Sequence, residues 1–546
     1  MVKLGAKSLY VTSMPNSSRC STCRKSSTII NSCPGLPNNV GYEKCSPWPH
    51  AGGVDNTNSR QSPFLVSANP LPQNSALFYG NAGFDIFGLI STNFGAGLPE
   101  TLVNLLRNIQ VQVNNYPIIS SDGTAYFMYN NLNNIDSIES LTPLIKDKKI
   151  KTYLGIYKDN AVDDSISIDG LSFGSPAIGS NGLVYFVYVS AYIYKRTLPS
   201  TGEKIDLTNF DTKLGVYNPK NKSFKSYDVP KKQISLQGIQ YTLSLSSPSI
   251  DSNGSVYFTY AQVFSPNGAD IILESYLAIY TDGVIKSYVI PHLDIEFTIS
   301  VSSPAIGSNG SVYLTYISYQ TGNTVPITSS LGVYNKGVIK TYSPPKQAVG
   351  SMIETLSISS PAIDSNGSVY FNYFIIDLSN PLIQTLDKLP FKTYMAKFDN
   401  NKLSISKNSV DGVTICSPAI GKDGSVYFTY SNLIIDVTNL SSEFQTYVGV
   451  YKNGMIKSSK NYLRNISLSS LAIGSDQSVY FTYNDGKKLP SSGLAVYKNN
   501  SIKLSNAVKG SSSSSPSIGS NGSVYFITNL FDDNGATDKS VINVYK

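Results

Sequence analysis

The stretch SPAIGSNGSVYLTY, residues 303–316, decides the fold. It returns as SPAIDSNGSVYFNY at 360–373 and as SPAIGKDGSVYFTY at 417–430. Variants begin at Ser175, Ser247, Ser470 and Ser515, and a diverged copy, YPIISSDGTAYFMY, begins at Tyr116. The matching turn residues are Gly123, Gly182, Gly254, Gly310, Gly367, Gly424, Gln477 and Gly522, spaced by 59, 72, 56, 57, 57, 53 and 45 residues. A long, elastic period of this size fits one propeller blade per copy, with loop insertions.

Each copy holds four strand candidates. Strand A is SPAI, and strand B is SVYFTY, reached through an Asn-Gly or Asp-Gly turn that favours positive φ. Strand C is LGVY, as at 331–334, and strand D is IKSY or IKTY, as at 285–288 and 339–342. Four consecutive antiparallel strands make a blade. The expected fold is therefore all-β, an eight-bladed β-propeller of four-stranded antiparallel blades, behind a loop-rich, Cys-containing N-terminal segment.

The residue choices suit that geometry. Ser303, Ala305 and Gly307 are small where inner strands crowd, and Pro304 is tolerable on an edge. Strand B is apolar on both faces, with Val256, Phe258 and Tyr260 on one and Tyr257 on the other. Strand C keeps a small second residue in most copies (Gly155, Gly215, Ala278, Gly332, Ala396, Gly449 and Ala495). Lysines recur at one register of strand D: Lys225, Lys286, Lys340, Lys457 and Lys503. Such edge lysines discourage strand addition, and edge protection outweighs a nucleic-acid rim as their reading.

The last copy ends after its C strand, INVY, so its D strand must come from elsewhere. A segment within 76–100 is expected to supply it and close the ring. TLVNLLRNIQ at 101–110 reads as a short helix or a D–A loop. The domain division is a Cys-rich leader or addressing segment over 1–75 and the propeller over 76–546. Length variation falls in the B–C and D–A connections, which share one face, so binding is expected there.

Composition agrees. The chain has 546 residues, 41% hydrophobic and 14% charged, with 38 Tyr and 41 Gly. That supports a sizeable core and excludes a disordered chain. A net charge of +7 permits anionic partners without requiring them. No apolar run is long enough to span a membrane, and the start, MVKLGAKSLYVTSMP, lacks the apolar stretch of a secretory signal.

The pattern S-P-A-I-x-x-x-G-x-V-Y resembles the repeat of pyrroloquinoline-quinone (PQQ)-like, quinoprotein-type propellers, over roughly residues 76–546. That resemblance implies a ring in which enzymes hold a quinone over the axis, while other members are cofactor-free scaffolds. The chain departs from the enzymes. Its single Trp, Trp48, lies outside the repeats, and it has no adjacent Cys-Cys pair. The Asn-, Ile-, Lys-, Ser- and Tyr-rich wording, with the Cys-rich start, is similar to surface-fibril proteins of giant (mimivirus-like) DNA viruses of amoebae. That second resemblance implies a virion location and an N-terminal segment that addresses the chain to the particle.

Cys20, Cys23, Cys33 and Cys45, with His50 beyond, could hold zinc through four thiolates, or form disulfides or intermolecular cross-links, or stay free thiols. Disulfides are the leading reading. Cys416 reads as a buried small residue, and His292 as a lone surface histidine. Asp251 and Asp364 read as Asx-turn residues rather than calcium ligands. Asp163–Asp164 and Asp532–Asp533 read as solvated loop pairs. The sequons at Asn253, Asn309, Asn366 and Asn521 sit where the A–B turn itself demands Asn-Gly.

No residue pattern supports an active site, a cofactor or a bound metal. The expectation is a non-enzymatic structural or interaction propeller, with other virion proteins or further copies of itself as partners. The rivals are a quinoprotein-type oxidoreductase or its relic, a glycan-binding propeller, and a genome-packaging protein that binds DNA; the last is not favoured.

Overall fold

In the computed structural model, residues 41–55, 57–79, 83–85, 112–131, 143–197, 202–232, 240–264, 272–291, 297–319, 327–345, 353–377, 391–436, 441–464, 467–485, 490–532 and 535–546 are described. They form eight four-stranded antiparallel blades in a ring. Blade 4 shows the unit: strands Ala305–Ile306, Val312–Tyr319, Ile327–Asn335 and Val338–Tyr342, from the hub outward. Every blade starts on an inner strand of two residues, at Ile118–Ile119, Ala177–Ile178, Ser249–Ile250, Ala305–Ile306, Ala362–Ile363, Ala419–Ile420, Ala472–Ile473 and Ser517–Ile518.

Local chemistry explains the turns. In the A–B turn of blade 4, Gly310 takes φ 75° and donates its N–H to Gly307 O at 2.9 Å, while Asn309 Oδ1 accepts from Ser311 N at 2.9 Å. The C–D turns need positive φ at both central residues, which Asp282 (50°) and Gly283 (88°) supply in blade 3. This is the type I′ geometry that matches strand twist.

Packing explains the small residue of strand C. It faces the aromatic of strand B, as Gly215 faces Phe186 and Gly449 faces Phe428. A Cβ on Gly215 would lie 2.5 Å from the Phe186 ring.

The blades are joined at their inner strands by a belt of serines. The backbone N–H at the first repeat position of one blade donates to the serine Oγ at that position in the next. The links run from Tyr116 to Ser175, Ser247, Ser303, Ser360, Ser417, Ser470 and Ser515, at 2.6 to 3.0 Å. Tyr116 has no such hydroxyl to complete the circle. At that junction Ser517 Oγ donates to Pro117 O instead.

The eighth blade is closed by the strand Pro72–Tyr79, paired antiparallel with Gly535–Tyr545. The closing strand thus comes from the N-terminal side, but it begins four residues before the 76–100 window, because Leu71 and Lys546 already exchange both backbone bonds (3.0 and 2.9 Å). The 101–110 segment lies outside the described residues. Several long B–C connections are extended strand pairs rather than loops: Val184–Thr197 with Lys204–Asn218, and Val426–Asp436 with Ser441–Lys452. Short D–A strands such as Gln240–Leu243 and Phe297–Ile299 pair with the outlying ends of strand B.

Candidate functional site at the hub and the hairpin face

The hub holds the chain's own residues 41–66, a stretch from the segment 1–75 that composition sets apart. It has no regular strand, yet Tyr42, Trp48, His50, Asn58 and Arg60 are all at most 3% exposed. The inner strands leave an unpaired backbone edge toward the axis, and this segment fills it. Ile119 N–H donates to Trp48 O (2.7 Å), Ile178 to Pro49 O (2.9 Å), Ile363 to Thr57 O (2.8 Å), Ile420 to Ser59 O (2.8 Å) and Ile473 to Arg60 O (2.9 Å). Ile250 N–H donates to the Tyr42 hydroxyl at 3.0 Å. Buried backbone donors need partners, and six blades find theirs in one irregular segment.

Side chains complete the plug. Asn58 Nδ2 reaches Pro304 O (3.2 Å) and Pro361 O (3.1 Å), bridging blades 4 and 5. Glu43 accepts from Ser121 N (2.9 Å) and pairs with its hydroxyl (3.0 Å) in the first A–B turn. His50 stacks flat on Tyr42, with ring centroids 4.3 Å apart. Its Nδ1 accepts from Gly52 N at 3.1 Å, so its Nε2–H donates to Asp55 O. Burial, aided by the Arg60 charge, pushes the His50 pKa down to about 3. Burial raises the Asp55 carboxyl above the usual range. Arg60 donates to Leu471 O and Ala51 O and lies 5.5 Å from the Tyr116 ring centroid. Burial lowers its pKa to about 10, leaving it charged at neutral pH.

This arrangement does not suit an axial quinone. Trp48, the one indole, is fully buried inside the plug and bridges Ile119, so neither of its faces opens to a flat ring.

The other singled-out residues have structural seats. Cys416 is buried where Ser302, Ser359 and Ser469 stand in neighbouring blades, and its sulfur accepts the Thr429 hydroxyl at 3.1 Å. Burial pushes its thiol up to about 11, away from thiolate chemistry. Asp251 Oδ1 accepts from Asn253 N and Ser255 N, both at 2.9 Å, and its Oδ2 accepts the Tyr257 hydroxyl at 2.9 Å. Asp364 repeats this with Asn366, Ser368 and Tyr370. Asn253, Asn309, Asn366 and Asn521 are exposed on their turns. Cys45 is buried. Cys20, Cys23, Cys33, His292 and Asp533 lie outside the described residues. Asp163 is exposed at the outer strand of blade 1.

Among the described residues, no group of three or more His, Cys, Asp or Glu side chains could hold a metal ion. No described helix is long and apolar enough to cross a membrane.

Sequence reading missed one cluster on the long-hairpin face. Tyr192 on strand B of blade 2 is 38% exposed, and its hydroxyl donates to Asp211 Oδ2 at 2.9 Å and accepts from Asn209 Nδ2 at 2.6 Å. Lys231 closes the cluster by pairing with Asp211. The signal available was the alternation of FDT at 210–212 across from SAY at 190–192, which extends the hairpin and places these groups on it.

No family model and no curated protein matches the chain. Among solved structures, it is similar to polysaccharide lyase Uly1 (9% identity, TM-score 0.39, covering 71% of this chain and 93% of that one). It is also similar to a PL25 ulvan lyase bound to a GlcA–Rha3S unit (14%, 0.39, 72% and 92%). A third is the β-propeller domain of the Trilobed protease from Pyrococcus furiosus (10%, 0.32, 64% and 86%). At these scores the blade pairings of this chain, not the likenesses, define its class: an eight-bladed propeller with a self-filled hub.

Proposed function

We propose that this chain is a non-enzymatic structural and interaction propeller, and that it serves as a component of a virus particle. One observation carries the non-enzymatic part: the axis, where a propeller enzyme assembles its centre, is filled by residues 41–66 and hydrogen-bonded to six blades. The residues of the hub satisfy backbone donors and one another, which is the work of a scaffold. The virion part is supported by the Asn-, Lys- and Tyr-rich wording and the cysteine quartet ahead of the ring. In this reading Cys20, Cys23, Cys33 and Cys45 act as disulfides or inter-chain cross-links. Proteomics of purified particles tests it, since a particle fraction without the chain overturns the virion role. Peptide mapping without reductant reads the cysteine pairing directly. Dye reduction by protein mixed with quinone and calcium would overturn the non-enzymatic reading.

A second reading, glycan binding on the hairpin face, is favoured by the Tyr192–Asn209–Asp211 cluster. The exposed Tyr192 ring offers a stacking surface, and the buried Asn209 amide and Asp211 carboxylate hold its hydroxyl in place. A glycan array on the full chain decides it: binding that Tyr192→Ala abolishes supports this reading, and no binding removes it.

A further inference from the structure

The hub segment 41–66 carries two acids, Glu43 and Asp55, and one arginine, Arg60. Glu43 is engaged with Ser121, and Asp55 with Thr57. The ionisable groups that support the Arg60 charge are the Tyr116 phenol and the Cys416 thiol, not a carboxylate. The preceding residues, 1–40, contain no Asp or Glu. Arg60 is therefore a buried guanidinium that no carboxylate of the described residues pairs with. The Trp48 and Tyr116 ring centroids lie 5.8 and 5.5 Å from its guanidinium carbon. Aromatic faces offset part of the cost of burying a cation, but a buried charge ordinarily keeps a counter-charge.

Two donors are left over at the same place. Arg60 uses Nε on Leu471 O and Nη1 on Ala51 O. Its Nη2 is buried with no partner among the described residues, and so is Nε1 of Trp48, the side chain it packs against. Unmet N–H groups beside an unpaired positive charge call for a ligand that only accepts hydrogen bonds and is negative. Burial of both side chains demands that it be small.

We propose that the hub binds one chloride ion, which accepts from Arg60 Nη2 and Trp48 Nε1. A water molecule in that position would satisfy the donors but leave the buried charge uncompensated. The ion fixes the Arg60 side chain, whose backbone O already holds the Ile473 N–H of blade 7 at 2.9 Å. Anion binding is thereby coupled to closure of the plug on the ring. The inference concerns how the hub is held together and stands apart from any virion or glycan role.

The test uses the full chain in sodium gluconate, exchanged stepwise for sodium chloride at constant ionic strength. The melting midpoint should rise saturably with chloride, as mass action on a native-state ligand requires. Trp48 is the single tryptophan, so its emission reads this site alone. Bromide, a heavy-atom quencher of the same charge, should quench that emission saturably in chloride-free buffer, and chloride should reverse it. Trp48→Phe keeps an aromatic face but removes the Nε1–H. It should raise the chloride concentration at half the midpoint shift by about tenfold. Arg60→Gln should abolish both the shift and the bromide quenching. The two titrations of the parent decide the matter even where a variant fails to fold. A midpoint indifferent to chloride, or quenching that grows linearly with bromide and ignores chloride, overturns the proposal. So does a chloride effect that both folded variants leave intact.

Discussion

At the residue scale, the ring is tuned by single atoms. Gly215 is held against the Phe186 ring, where a Cβ would sit 2.5 Å away. Other blades carry Ala at that register, so one methyl can be absorbed, but a branched side chain cannot follow it. Gly215→Val should destabilise the chain by about 2 kcal/mol through overpacking, read from denaturant midpoints. Ser303→Ala removes the acceptor of Ser247 N–H without removing the donor, and should cost about 1–3 kcal/mol by the same measurement. His50 gives the fold a pH signature. Its pKa is about 3 in the fold, against an ordinary value of 6.5. Between those values the unfolded chain takes up a proton that the folded hub refuses. Stability from this group is therefore complete above pH 6.5 and falls as pH drops toward 3, by up to about 1.4 kcal/mol per pH unit. Asp55 works the other way, since its raised pKa lets the fold gain a proton first as pH falls. Comparing the parent with His50→Gln isolates the histidine. The stability difference should shrink from pH 7 to pH 4, and a pH-independent difference would show that His50 titrates normally.

At the element scale, what was legible and what was not divides by the range of the interactions. The pair SPAI and SVYLTY could be placed because its turn chemistry and its period of two are local. The hub segment could not. Residues 41–66 have no periodicity, and their positions are fixed by partners hundreds of residues away, as Asn58 is by Pro304 and Pro361. The available hint was Trp48, a large apolar residue stranded in a Pro- and Asn-rich stretch just before the closing strand. The varying lengths of the B–C connections hide the extended hairpins in the sequence, although Val184–Thr197 is rich in Val, Ile and Tyr. The candidate site suffered in proportion. The quartet of cysteines drew attention through spacing, while Tyr192, Asn209 and Asp211 meet across a hairpin whose register appears only once it is folded. The inner strands yield a sharp expectation. They are two residues long, yet the N–H groups of Ile363, Ile420 and Ile473 are bonded to the plug. Their hydrogen exchange should be as slow as that of strand B in the same blades, and rapid exchange there would mean the plug opens independently of the ring.

At the scale of the whole molecule, the plug and the closing strand form one continuous stretch, 41–79, that touches both the axis and the seam. The seam joins Pro72–Tyr79 to the far end of the chain, and the axis contacts reach blades 1, 2, 3, 5, 6 and 7 through backbone donors. A ring held this way resists the loss of any one blade, because the serine belt links blades 1 to 8 in series, the plug bonds six of them through backbone donors and blade 4 through Asn58, and the closing strand completes blade 8. Removing residues 1–71 keeps the closing strand but strips six buried N–H groups of their acceptors and empties the axis. Each orphaned donor costs about 1–3 kcal/mol, so even partial hydration of the emptied axis should leave a large deficit. Calorimetry of that truncated chain should show a melting midpoint lower by roughly 10 °C or more, with a broadened transition. A midpoint within about 2 °C of the parent's would mean that the blades carry the ring alone and that the hub segment is a passenger.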